Sequence, residues 1–236
     1  MIVLLPPSEG KATGGRRSWR PDAGAFGNLA DRRSEVAEVL VGQLEERRRL
    51  FGTDGPLADR AVDAALALAA GTAPVLPAWQ RFTGVVWEHL DPATLPPSAR
   101  RRIVVPSAQL GLCRGDDPVP DFRLKFSVSL AGIGRLDRWW REAATAALTR
   151  TRGPIVSLLP NEHAAAVDLD GFGRRRIVRV DFVTEDGRGA AGHAAKAVKG
   201  VLARTVLLDG LDAIDDFVWE GWRATPCRTG FVVRAP

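Results

Sequence analysis

The segment P-P-S-E-G-K-A-T-G-G at residues 6–15 holds a hydroxyl, a carboxylate and an amine within four positions: Ser8, Glu9 and Lys11. It follows a continuous apolar run at 2–5 that the proline pair stops, so the three groups stand where a short buried strand empties into a loop. Open α/β sheets place ligands at such strand ends. The set could take a phosphate or serve acid–base chemistry. A Walker loop is excluded by spacing, because GxxxxGK must be followed by Ser or Thr, whereas Gly10-Lys11 is followed by Ala12. A plain turn displaying polar side chains explains the same residues without chemistry.

Three further sets compete in the same way. In F-R-L-K-F-S-V-S-L, the stretch 124–130 alternates strictly, with Leu124, Phe126, Val128 and Leu130 on one face. Arg123, Lys125, Ser127 and Ser129 occupy the other, which predicts a half-buried strand whose cationic, hydroxyl-lined stripe could meet phosphate oxygens. Charge protection of a sheet edge is its structural explanation. On a predicted helix at 192–207, Lys196 and Lys199 share a face and Arg204 follows, either as phosphate ligands or as a solvated surface. After a predicted strand at 155–159, L-L-P-N-E-H offers Glu162 and His163 for acid–base work, but sequence neighbours diverge. A helix cap with a satisfied surface histidine is therefore the favoured reading there.

The 33 basic and 28 acidic residues leave a formal charge of +5, which by itself would suggest nucleic acid. Only four of the basic residues are lysines, and an arginine excess of this kind is what biased codon composition produces. The scarce lysines, Lys11, Lys125, Lys196 and Lys199, are therefore the more informative cations. No Ser-His-Asp arrangement, GxSxG elbow or HExxH helix occurs. Cys113 and Cys227 have neither disulfide-framework nor zinc-ligand spacing, so no metal or cofactor is expected. Trp139, Trp140, Trp219 and Trp222 fit a core better than a base-stacking platform.

Periodicity supplies the supports. Amphipathic helices are expected at 28–50, ending near Gly52, and at 56–70, closed by Gly71. Strands are expected at 102–105, 177–183 and 230–233, a helix at 136–149 and a short one at 211–217. Strands and helices interleave without repeat or linker, which predicts a single α/β domain over 1–236. The N-terminus is too short for a secretory signal, and no run reaches the roughly 18 apolar residues of a membrane span. A reduced, cytoplasmic protein is expected.

Read together, these segments resemble the YaaA peroxide-stress family. The opening P-P-S-E-G-K is similar to the family's first motif in high-GC actinobacteria. R-F-T-G-V-V-W-E-H-L at 81–90 keeps Phe82, Gly84 and Val86, with Trp87 in place of tyrosine. The stretch 106–124 matches at Ser107, Gly111, Arg114, Asp117, Arg123 and Leu124. V-S-L-L-P-N-E-H keeps Glu162, with His163 where relatives carry an aromatic. G-H-A-A-K-A-V-K-G-V-L-A-R keeps Lys196, Lys199, Gly200 and Arg204. The resemblance implies a single α/β domain with a mixed sheet flanked by helices, outside the standard superfolds. It also implies a positively charged cleft for double-stranded DNA, a helix-hairpin-helix-like element near 52–68, and a role in limiting peroxide damage by keeping free iron low.

Two functions follow as expectations. In the first, Lys11, Arg123, Lys125, Lys196, Lys199 and Arg204 neutralise the phosphates of double-stranded DNA. In the alternative, an enzyme uses the same cleft on a small phosphorylated or nucleotide-like substrate, with Ser8, Glu9 and Glu162 as catalytic candidates.

Overall fold

The protein is described from a computed structural model, which covers residues 1–173 and 177–236. In chain order the strands are β1 (Ile2–Leu4), β2 (Arg17–Ser18), β3 (Pro74–Pro77), β4 (Ile103–Ser107), β5 (Gly111–Arg114), β6 (Pro118–Pro120) and β7 (Ser129–Leu130). They continue with β8 (Gly134–Arg135), β9 (Ile155–Ser157), β10 (Ile177–Val183), β11 (Val218–Trp219), β12 (Trp222–Cys227) and β13 (Gly230–Arg234). The α-helices are α1 (Ala30–Val41), α2 (Arg47–Phe51), α3 (Pro56–Ala69), α4 (Ala78–Arg81), α5 (Val85–Leu90), α6 (Pro97–Arg100), α7 (Leu136–Thr149), α8 (Asn161–Ala164) and α9 (Gly192–Asp209).

An 8-stranded sheet in the order β11-β12-β13-β10-β9-β1-β4-β5 forms the middle layer. Its centre is parallel: β1 lies between β4 and β9, and β10 continues the parallel pairing to β13. Antiparallel partners β5 and β12 flank this block, with β11 beyond β12. The sheet is thus mixed, as expected for a single α/β domain. Because successive residues of a strand face opposite ways, β1 divides its side chains between two cores. Val3 joins one with Leu5, while Ile2 and Leu4 join the other. The first core is closed by α5 and α9, and the second by α1, α2 and α7.

Two close approaches fix how helices sit on the sheet. A Cβ on Gly200 of α9 would stand 2.4 Å from the Val86 carbonyl oxygen and 2.8 Å from His89 Cβ, so only glycine lets α9 press against α5. Gly111 of β5 has φ +68°, and a Cβ there would fall 2.6 Å from the ring of the buried Trp140 on α7. Trp140 and Trp222 are core residues, as their spacing suggested.

Several expectations are corrected. The stretch 124–130 is not a strand; only Ser129–Leu130 pair, in a small hairpin with Gly134–Arg135. The alternation is nevertheless real, because Leu124, Phe126 and Leu130 are buried while Lys125, Ser127 and Ser129 are exposed. An extended segment laid along one core shows the same period as a strand without needing a ladder. The 28–50 helix is broken after Val41, and a 3-10 turn at Leu44–Glu46 leads into α2. Gly42 weakens the helix, and the redirected chain buries Leu50 and Phe51. The helix expected at 211–217 is a single 3-10 turn, Asp212–Ile214.

Where the hairpin element was expected, near 52–68, helices α2 and α3 are joined by a tight turn. Helix α2 ends on Gly52 (φ 63°), and Gly55 (φ 63°) precedes Pro56 at the start of α3. Both positive-φ positions are ones that glycine occupies without strain. Among the described residues, no helix is long and apolar enough to cross a membrane.

Candidate functional site

The site lies at the carboxyl ends of β1 and β9. From β1 comes the loop carrying Ser8, Glu9 and Lys11, and beyond β9 follow Glu162 and His163. With Arg123, Lys125 and Phe126 of the extended segment, they line a hollow of about 130 Å³. A second hollow of about 200 Å³ adjoins it, lined by Leu57, Arg60 and Ala61 of α3 together with Thr83 and Asp121. Glu9, Lys11, Phe122 and Arg123 border both. Helix α3 thus contributes one wall.

The first loop is held by groups outside it. Trp87 Nε1 donates to the Pro6 carbonyl at 3.2 Å, tying the start of the loop to α5. Lys11 forms an isolated antiparallel bridge with Phe82, and the Ser8 hydroxyl accepts the Thr83 N–H at 3.0 Å while donating to the Gly10 carbonyl. Gly84 leaves room for this contact, since a Cβ there would lie 3.0 Å from Ser8 Cβ. Arg81 is only 1 % exposed and its guanidinium donates to the carbonyls of Ala12, Gly14, Pro74 and Val119. It fastens the loop to β3 and β6 with no carboxylate partner among the described residues.

Lys11 stands at the centre. Its Nζ donates to the Ser8 carbonyl at 2.8 Å and rests 4.3 Å from the Phe122 ring centroid. Burial lowers its pKa from 10.5 to about 8; Asp121 and Glu9 oppose this, while Arg123 and Arg60 add to it. Arg60 Nε bonds Asp121 at 2.7 Å and its Nη2 donates to the Lys11 carbonyl at 3.0 Å. Lys125 pairs loosely with Glu9 at 3.5 Å, and Arg123 Nε donates to the Phe51 carbonyl at 3.0 Å. Ser127 donates to Glu162 at 3.2 Å.

His163 is not the satisfied surface histidine expected. Its ring is half-buried edge-on to Phe126 at 5.6 Å, and Nδ1 finds no hydrogen-bond partner among the described residues. Burial drops its pKa to about 4; Glu162 works against the drop and Lys199 adds to it, leaving a neutral ring at neutral pH. Lys199 is held near pKa 8 by burial and by Lys196, with Asp181 opposing, and lies 4.9 Å from the Phe182 ring.

The structure therefore brings together Ser8, Glu9, Lys11, Arg123, Lys125 and Glu162. Lys196 is exposed on α9 and lines neither hollow. Arg204 lies elsewhere: its Nη1 donates to the carbonyls of Leu90 and Asp91 at 3.0 Å, closing the end of α5. Sequence reasoning missed Arg60, Asp121 and Arg81. Nothing local distinguishes Arg60 and Arg81 from the other arginines; Asp121 lay in the P-D-F-R-L stretch, where its proximity to Arg123 was a signal left unused. A larger hollow of about 250 Å³ over β9 and β10 includes Arg141 and Arg179. Both are paired, with Asp168 and Asp170 respectively. Among the described residues no group of His, Cys, Asp and Glu could hold a metal ion.

Fold and site define an α/β protein with a cleft at the ends of its parallel strands, lined by Lys11, Arg60, Arg123 and Lys125 together with Glu9, Asp121 and Glu162. Residues 1–226 match the model of the peroxide stress protein YaaA family, and the chain belongs to that family. A UPF0246 protein of Streptomyces coelicolor is 30% identical over 250 residues, covering 98% of this chain and 95% of the relative. One from Corynebacterium glutamicum is 30% identical over 222 residues, with 90% and 87% covered. Another from Ruegeria sp. is 29% identical over 230 residues, with 92% and 90% covered.

Proposed function

We propose that this member of the peroxide stress family binds double-stranded DNA through the strand-end cleft, with Lys11 and Arg123 as the principal phosphate contacts. The observation that carries this reading is the pairing pattern of the cleft. Arg60 is paired with Asp121 and Lys125 loosely with Glu9, whereas Lys11 and Arg123 bond only backbone carbonyls among their described contacts. Two cations without carboxylate partners, side by side in one cleft, favour an anion.

Affinity for a duplex should then fall linearly in log K against log salt concentration, with a slope of about −0.9 per phosphate contacted. Lys11→Ala and Arg123→Ala should each flatten that slope by about one contact. Slopes identical to the parent in both folded variants would overturn the assignment.

A second reading is a small phosphorylated ligand held across the adjoining hollows of about 130 and 200 Å³. Nucleotides or sugar phosphates should then raise the melting temperature at millimolar concentration. Duplex binding without any such shift would exclude it.

A further inference from the structure

We propose that Lys11 is a nucleophile as well as a cation: its amine condenses with an aldehyde carried beside a phosphate, forming an imine in the cleft. The aldehyde is either the opened sugar of a base-free position in duplex DNA or a free sugar phosphate. The inference rests on the phosphate-binding reading of the cleft.

Position singles out Lys11. It borders both hollows, as no other lysine of the described residues does. Its only described hydrogen-bond acceptor is the Ser8 carbonyl, and no carboxylate lies within ion-pairing distance among the described residues. The Phe122 ring at 4.3 Å shields one side. Arg123 borders the same two hollows and Arg60 the second, so an aldehyde anchored by its phosphate there would be presented to Nζ. Lys199 shares a lowered pKa but lines neither hollow.

The environment suits the chemistry. At the pKa of about 8 that burial imposes, roughly a quarter of the amine is unprotonated at pH 7.5, against about 0.1 % at the ordinary 10.5. A desolvated lysine with no tight carboxylate is the usual device for this reaction. The facing charges, Asp121 and Glu9 against Arg123 and Arg60, partly cancel, so desolvation dominates.

In the step itself, the nitrogen lone pair attacks the carbonyl carbon and the C=O π pair moves to oxygen. A proton passes from nitrogen to that oxygen, giving a carbinolamine. A second proton releases the hydroxyl as water while the nitrogen lone pair completes C=N. The net change converts ammonium plus aldehyde into protonated imine plus water, with no oxidant or reductant. Glu9, which borders both hollows, is placed to carry the proton.

The full chain is incubated with sodium cyanoborohydride and either a duplex with one abasic position or glyceraldehyde 3-phosphate, and adducts are mapped by peptide mass spectrometry. Four lysines and the Met1 amine make the map unambiguous. The expected result is a reduced adduct on Lys11, formed at a rate that rises with pH through about 8 and lost at least tenfold in Lys11→Arg. An adduct from the duplex alone or the sugar phosphate alone supports the inference and identifies the source. No Lys11 adduct from either probe, in protein with a parental melting profile, overturns it. Adducts on Met1 or other lysines that persist in Lys11→Arg overturn it too. Intact-duplex binding is measured in parallel: binding without adduct sinks this inference alone, and sugar-phosphate trapping without duplex binding sinks only the DNA reading.

Discussion

The Lys11 amine lies 4.3 Å from the centroid of the Phe122 ring, and its hydrogen bond goes to the Ser8 carbonyl at 2.8 Å. This half-buried lysine borders two adjoining hollows. Its folded pKa of about 8 is below the unfolded 10.5, so the unfolded chain binds more protons between those values. The stability cost is therefore fully present below pH 8 and is relieved as pH rises from about 8 towards 10.5. A bound phosphate reverses the preference by stabilising the ammonium. Duplex binding near pH 8 should accordingly take up protons, measured by calorimetry in buffers of different ionisation enthalpy. Proton uptake unchanged in Lys11→Ala would assign it to another group.

His163 provides a test on the acid side. Its pKa of about 4 lies below the ordinary 6.5, so the unfolded state binds the extra proton between those values. Stability is lost as pH falls from about 6.5 to 4, by on the order of 2–3 kcal/mol. His163→Phe keeps the edge-on contact with Phe126 and removes an unpartnered Nδ1. The variant should be at least as stable as the parent at pH 7 and lose less on acidification, read from urea midpoints at both pH values.

Arg81 is the anchor of the first loop. Replacing it by Met fills much of the space but leaves the carbonyls of Ala12, Gly14, Pro74 and Val119 without their donor. At about 1–3 kcal/mol for a buried group left unpaired, the loss should be on the order of 3 kcal/mol or more. Denaturant unfolding reads the loss. A loss below about 1 kcal/mol would mean that water reaches those carbonyls.

Gly200→Ala tests the contact between α5 and α9. The added methyl would sit 2.4 Å from the Val86 carbonyl oxygen, which is backbone and has little room to yield. Overpacking of this kind costs about 1–3 kcal/mol. The melting temperature should drop by several degrees, while the salt dependence of duplex binding stays near parental because Gly200 lines neither hollow.

Much of the framework was legible because it rests on local rules. The apolar run before Pro6-Pro7 gave β1, and helix α7 and strand β10 fall where their periodicities put them, at Leu136–Thr149 and Ile177–Val183. The family-like segments were legible too, but they mix two kinds of residue. Lys11, Arg123 and Glu162 face the cleft, whereas Gly111, Gly200 and Arg204 hold helices in place. A motif does not separate these, since a glycine required by a neighbouring carbonyl and a lysine required by a ligand are equally fixed in spacing. The alternation at 124–130 misled for a related reason: burial of every second side chain reports extended backbone, not a hydrogen-bonded partner.

The sequence by itself determined the alternation of strands and helices and the strand-end placement of Ser8, Glu9 and Lys11. Tertiary structure alone decided which cations share one cleft. Arg60 and Arg123 are 63 positions apart in sequence and enter one cleft only because α3 packs beside the extended segment. Arg204 leaves the candidate set because its guanidinium reaches the end of α5. The character of Lys11 was decided there as well. Its lowered pKa is a property of the apolar and charged groups that close around it, and desolvation is fixed by packing across the whole chain.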